Sequence, residues 1–166
     1  MKNFLNRWVL PVLSICVLLT LSACSDNPVE DDHGDDEHAD AHGIQVLSGN
    51  DVVYRVLEGQ VSCDTQPCGI TVRLGEQSSS FIIEFLNEDG DEVHTEDLDE
   101  GFSLSVSVDT PAIATVQKVG DWSIMASAVS VGTTRIQLSL NHGGHADLTT
   151  PPLSSVNALT VSVVSP

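Results

Sequence analysis

Short segments in which apolar and polar residues alternate run through the second half of this sequence. In FSLSVSV (102–108), a phenylalanine, a leucine and two valines fall on one face and three serines on the other. The same alternation recurs in WSIMASA (122–128) and TRIQLSL (134–140). Side chains of a β-strand point to opposite faces with a period of two residues. No segment after residue 44 keeps a helical period, so the pattern predicts an all-β domain.

Turn residues divide the same region into many short candidate strands. Besides the three segments above, strands are predicted at 51–57, 69–74, 80–86, 112–118 and 157–164. Asp89-Gly90 and Gly120-Asp121 supply turn chemistry between strands. Short strands with frequent turns and almost no helix are typical of a β-sandwich. We therefore expect residues 44–166 to form one Ig-like sandwich of about 7–9 strands.

The first 23 residues have the organisation of a secretory signal. Lys2 and Arg7 precede an apolar run that is too short to span a membrane. The run ends in Leu21-Ser22-Ala23-Cys24, which resembles the lipobox of bacterial lipoproteins. The resemblance implies cleavage before Cys24 and attachment of fatty acyl chains such as palmitate to that residue. Ser25, rather than Asp, implies sorting to the outer membrane, facing the periplasm or the surface. The alternative is an ordinary cleaved signal with an accidental cysteine.

The charge of the chain restricts its partners. The sequence has 24 acidic and 6 basic residues, and losing Lys2 and Arg7 with the signal changes the net charge from −18 to 4 − 24 = −20. Nucleic-acid binding depends on cationic contacts to phosphate, so no nucleic acid is expected as a partner. Docking on anionic lipid headgroups is disfavoured for the same reason. Divalent cations or basic protein surfaces suit this charge.

An acidic, histidine-rich tether is predicted between the lipid anchor and the domain, at residues 24–43. It contains EDDHGDDEHADAHG, with almost no large aliphatic side chain, and such a composition predicts disorder. Its histidines could gather metal ions as auxiliary ligands: His33, His38 and His42. The alternative is a solvated spacer without a metal role.

The two cysteines of the predicted domain lie close together in C-D-T-Q-P-C. Outside the cytoplasm disulfides persist, and we expect Cys63 and Cys68 to form one. A thiolate metal pair is the alternative, but it would more often use C-x2-C spacing together with a second pair.

One longer stretch, PAIATVQKVGDWSIMASAVSVGTTRIQLSL (111–140), resembles the bacterial Ig-like group 2 family. The resemblance rests on Ile113 to Val116, on the Gly120-Asp121 turn and on the G-T-T-x-I-x-L run from Gly132 to Leu138. It extends upstream to Leu74-Gly75-Glu76, whereas the loop at 87–101 is longer and far more acidic than the family norm, and so is the connection at 141–156. Residues 44–68 also add an N-terminal segment that the family does not require. Modules of that family are spacers or adhesion and recognition domains, so the resemblance implies no catalysis.

Histidines in the two unusual loops predict a metal site. In an Ig-type sandwich the B–C and F–G loops, here 87–101 and 141–156, emerge at the same end. Imidazole and carboxylate groups are ligands for zinc and related divalent cations. The predicted ligands are His94, His142, His145 and Asp147. Calcium in the acidic 87–101 loop is a less favoured alternative, and exposed loop histidines without a metal are another.

These observations leave two function classes. No nucleophile-elbow, zinc-protease or phosphate-loop motif is present, so no enzyme is expected. The first hypothesis is a lipid-anchored envelope protein that binds a zinc-like cation, as an accessory to metal uptake or buffering. His/Asp-rich runs of this kind resemble those of bacterial zinc-uptake binding proteins. The second is a non-enzymatic adhesion, interaction or spacer module without metal, whose partner is an envelope protein or a glycan.

Overall fold

The computed structural model describes residues 39–98 and 100–166, apart from the side chain of Asp97. The predictions for the signal peptide, Cys24, His33 and His38 lie outside these residues. Within them the chain forms a short 3-10 helix, η1 (Thr95–Asp97), and the strands β1 (Gly43–Ser48), β2 (Asp51–Leu57), β3 (Gln60–Ser62), β4 (Ile70–Arg73), β5 (Phe81–Leu86), β6 (Glu92–Val93), β7 (Ser103–Val108), β8 (Ala114–Gly120), β9 (Ser123–Ala128), β10 (Gly132–His142), β11 (His145–Thr149) and β12 (Leu159–Val164).

The strands form two sheets. The first has the order β3-β2-β1-β5-β9-β8, with β6 also paired to β5. In the second, β7 lies on one side of β10, and β11 and β12 lie on its other side, with β4 beyond β12. Every pair is antiparallel except β4 with β12, which is parallel. The described part of the chain contains no helix that is both long and apolar enough to cross a membrane.

This arrangement confirms the predicted all-β, Ig-like sandwich. The order β5-β9-β8 in one sheet and β7-β10-β12 in the other corresponds to strands B-E-D and C-F-G of the Ig fold. All eight predicted strands are present, with ends displaced by a few residues. The described residues contain more strands than the 7–9 expected, because β1, β3, β6 and β11 were not predicted.

The inner faces of the two sheets meet in one apolar core. The buried residues alternate along each strand, as with Leu104 on β7 and Ile136, Leu138 and Leu140 on β10. Burying each such side chain contributes about 1.5–3 kcal/mol. Tyr54 is 2% exposed, and its hydroxyl donates a hydrogen bond of 2.8 Å to the carbonyl of Asn157. That bond joins β2 to the connection that precedes β12.

The N-terminal approach to β1 belongs to the sandwich. Ala39 and Ala41 are partly buried against the core, and the backbone N–H of His42 donates to the carbonyl of Leu86 at 2.7 Å. Because Leu86 ends β5, the chain enters the domain at the end where the B–C connection begins. Strand β1 starts at Gly43, one residue before the predicted domain boundary.

Candidate functional site

The two connections that carry the predicted histidines meet at one end of the sandwich. The first runs from β5 to β7, and the second begins with the β10–β11 hairpin. A Cβ placed on Gly101 would lie 3.3 Å from Cδ2 of His142. Residues about 40 positions apart are thus in contact, as the Ig topology predicts.

The prediction of a loop at 141–156 is wrong for the first half of that range, because H-G-G-H forms the tight turn of a β-hairpin. Strand β10 continues to His142, β11 begins at His145, and these two residues pair across the turn. Gly143 and Gly144 have φ values of 56° and 93°. A two-residue turn with positive φ at both positions is the type I′ geometry that matches strand twist. The glycines therefore serve the hairpin rather than a flexible metal loop.

The ring of His142 stacks on an aromatic side chain. That side chain is Phe102, with ring centroids 4.2 Å apart and an interplanar angle of 12°. Nδ1 of His142 is buried and has no hydrogen-bond partner among the described residues. The stacking fastens the hairpin to the end of the B–C connection, since Phe102 immediately precedes β7.

His145 and Asp147 form a pair on β11. Nε2 of His145 lies 2.9 Å from Oδ1 of Asp147, and their side chains are 45% and 3% exposed, respectively. Burying a carboxylate is costly unless it is hydrogen-bonded or paired. The contact with His145 therefore pairs the buried carboxylate of Asp147 at Oδ1.

The other described histidines are paired with nearby acids. His94 lies just before η1, is 61% exposed and has its Nδ1 3.7 Å from Oε1 of Glu92. His42 has its Nε2 3.4 Å from Oδ1 of Asp40. Both contacts join residues two positions apart in sequence, on the surface.

The four predicted ligands do not form a common coordination sphere in this structure. Across residues 39–98 and 100–166, no three His, Cys, Asp or Glu side chains converge in a group that could hold a metal ion. His145 is close to Asp147, whereas His142 faces Phe102 and His94 faces Glu92. The described residues therefore show no assembled zinc site, and the metal site stays a prediction.

The predicted disulfide between Cys63 and Cys68 is confirmed. Their Cα atoms are 5.7 Å apart, within the usual range for a disulfide. The bridge closes the exposed loop between β3 and β4.

A cavity of about 260 Å³ lies between the B–C connection and the β8–β9 turn. Its walls include Phe102 and Trp122, which are both partly buried against the core. Lys118 and Asp121 lie at its rim. The sequence gives little sign of this cavity, since residues from three separate elements form it. The one available signal is a lysine on the apolar face of a strand.

Comparisons with known proteins add a fold likeness only. No protein-family model matches the chain, and no curated protein matches it. Domains 4 and 5 of the S-layer protein SbsC superpose with a TM-score of 0.42 at 13% identity, over 74% of this chain and 77% of that one. Domains 5–6 give 0.42 and 17%, over 61% and 41% of the two chains. Domains 4–9 give 0.41 and 14%, over 78% and 23%. These values are too low to transfer any property.

Proposed function

We propose that this chain is a lipid-anchored, non-enzymatic protein of the cell envelope, whose β-sandwich binds a partner at one end. The observation that carries the proposal is the meeting of the B–C connection and the β10–β11 hairpin at that end. Ig-type sandwiches hold binding loops on a rigid scaffold in this way. The lipobox-like sequence and the Cys63–Cys68 disulfide support a location outside the cytoplasm.

The contacts of the predicted metal ligands support a binding module rather than a metal carrier. His142 stacks on an aromatic ring, His145 pairs with a buried carboxylate, and the glycines between them form a turn. Each of these features has a structural explanation that needs no ion.

A zinc titration decides between the two function classes. We expect calorimetry to show no micromolar or tighter zinc binding, because no three His, Cys, Asp or Glu side chains converge among the described residues. Zinc at such concentrations should then leave thermal stability unchanged, since stabilisation by a ligand grows with its concentration over Kd. Micromolar binding that disappears in the triple variant His94→Ala, His142→Ala, His145→Ala would restore the metal hypothesis. His33→Ala with His38→Ala is the matched control for weak binding by the tether.

Lipid anchoring has its own test. In a Gram-negative host supplied with labelled palmitate, the wild-type chain should carry label and sediment with outer membranes. Cys24→Ser should abolish both, because the proposed acyl chains attach at that residue. Cys16→Ser is the matched control, since this cysteine lies inside the proposed signal, and it should behave as wild type. Label on the Cys24→Ser protein would contradict the anchor.

The binding end is tested by photocrosslinking in cells. A photoreactive residue at Thr95, in the B–C connection, should yield adducts with an envelope component. The same residue at Ser162, on β12 of the second sheet, is the control and should yield few. Equal adducts from both positions would contradict partner binding at this end.

A further inference from the structure

The cavity at the binding end has a fixed aromatic surface. The ring of Phe102 is supported by its stacking on His142, with centroids 4.2 Å apart. The ring of Trp122 is supported by an edge contact to Phe85, with centroids 5.2 Å apart and an interplanar angle of 87°. Rings that are already held in place lose little conformational entropy when a ligand packs on them.

Side chains of positive and negative charge, together with a hydroxyl group, surround that surface. Lys118 can only donate hydrogen bonds, the carboxylates of Glu100 and Asp121 accept them, and the hydroxyl of Thr95 can do either. Lys118 pairs with the buried Ile124 in the β8–β9 register and so lies on the inner face of β8. Lys118 lines the cavity from this face of the strand.

This combination narrows the ligand class. Two carboxylates against one ammonium disfavour an anion, and a mixed polar rim would be left unpaired by a purely apolar ligand. A sugar ring presents hydroxyls that both donate and accept, together with an apolar C–H face. The volume of about 260 Å³ is just below the ~300–1,000 Å³ of pockets for drug-sized ligands, which suits one ring.

We propose that this cavity binds a sugar ring of a neutral glycan, with Trp122 and Phe102 packing on its C–H face. Lys118, Asp121, Glu100 and Thr95 hydrogen-bond its hydroxyls. This inference rests on the proposed function, since it names the partner class of the same binding end.

Tryptophan fluorescence provides a direct readout. The sequence has two tryptophans, and Trp8 lies in the proposed signal peptide, so the mature protein in detergent reports on Trp122. The probes are cellotetraose, chitotetraose, maltotetraose and mannotetraose, with calorimetry as a second measurement. We expect saturable binding of at least one probe. Lys118→Met and Asp121→Asn should each weaken it about tenfold, the loss expected for one charge-assisted hydrogen bond.

Matched controls replace the same residue types outside the cavity. Arg73→Met on β4 and Asp51→Asn on β2 should change affinity by less than about twofold, since exposed substitutions have small effects. Lys118 and Asp121 are also exposed, so their variants should keep the wild-type melting temperature.

Three outcomes would overturn the assignment. These are no saturable response to any of the four sugars, sugar binding that the cavity variants leave unchanged, and binding of choline alone. Choline is included because aromatic rings beside carboxylates also suit a quaternary ammonium. If sugars fail while Thr95 still crosslinks to an envelope protein, the proposed function stands and only the glycan assignment falls. If neither sugars nor an envelope component is captured, both fail.

Discussion

The two glycines of the β10–β11 turn occupy positions that differ in what they tolerate. Gly143 has φ 56°, a left-handed conformation that asparagine also adopts readily. Gly144 has φ 93°, where any side chain is strained and a β-branched one most of all. The pair His142 and His145 therefore depends on Gly144 for its register across the hairpin.

Substitution of the two glycines should separate these requirements. Gly144→Val should lower the free energy of unfolding by about 1–3 kcal/mol through backbone strain. Gly143→Asn should change it by no more than about 0.5 kcal/mol, because the turn already favours Asn there. Urea unfolding at constant m-value measures both. Equal losses in the two variants would contradict a type I′ turn.

Tyr54 links the stability of the sandwich to high pH. Burial raises the pKa of Tyr54 to about 12, from an ordinary value near 10. The neutral phenol is favoured in the folded state, so its contribution is fully present below about pH 10. It is lost as the pH rises to about 12, because the unfolded chain ionises first.

Tyr54→Phe should remove this part of the pH dependence. The wild-type protein should lose on the order of 2 kcal/mol from Tyr54 between about pH 10 and pH 12, and the variant should not. Near neutral pH the variant should be less stable by about 1 kcal/mol, since the bond to Asn157 is lost. Tyr54 is the single tyrosine of the sequence, so tyrosinate absorbance follows its titration directly. A midpoint near 10 in the folded protein would contradict the burial effect.

At the scale of elements, eight of the twelve described strands were predictable, whereas β1, β3, β6 and β11, and with them two hairpins, were not. Alternation located β7, β9 and β10 because each buries one face and exposes the other. Strand β11 was missed because A-D-L-T is too short and polar to show a period. Gly143-Gly144, like Gly49-Asn50 between β1 and β2, is nevertheless a two-residue hairpin signal. The same four residues, H-G-G-H, thus carry both metal-ligand side chains and a turn signal, and the turn is what the structure forms.

The disulfide loop between β3 and β4 gives an element-scale prediction. Replacing Cys63 and Cys68 together by alanine should lower the free energy of unfolding by roughly 2 kcal/mol, the chain-entropy value for so small a loop. Treatment of the wild-type protein with reductant should give a similar loss. Sugar binding should be unchanged, because neither cysteine lines the cavity. An unchanged stability in the double variant would contradict this contribution.

At the scale of the molecule, the topology placed the loops correctly but not their side chains. Which strand neighbours which follows from the Ig pattern, and so the contact of the B–C connection with β10 was foreseeable. Whether the side chain of His94 points toward His142 depends on its rotamer and on the path of the connection. The alternation of apolar and polar residues predicts neither. The cavity could not be predicted from the sequence for the same reason, since Thr95, Lys118 and Trp122 come from different elements.

The boundary between tether and sandwich can be tested by deletion. Removing residues 26–37 should change the free energy of unfolding by no more than about 0.5 kcal/mol, because a charged terminal segment contributes little to a core. Removing residues 26–42 should cost more, since the contacts of Ala39 and Ala41 and the His42–Leu86 hydrogen bond are lost. Chemical denaturation of both proteins measures the difference. Equal stability would place the boundary after residue 42.

The parallel pairing of β4 with β12 has a consequence for how the chain is made. Strand β4 pairs through Ile70 to Arg73, while its partner begins only at Leu159. Because synthesis proceeds from the N-terminus, β4 is made well before the strand that covers its edge. Until then β10 also lacks β12 as a neighbour. Folding dominated by such distant contacts is slow, so the nascent domain would stay accessible to chaperones and proteases until β12 has been made.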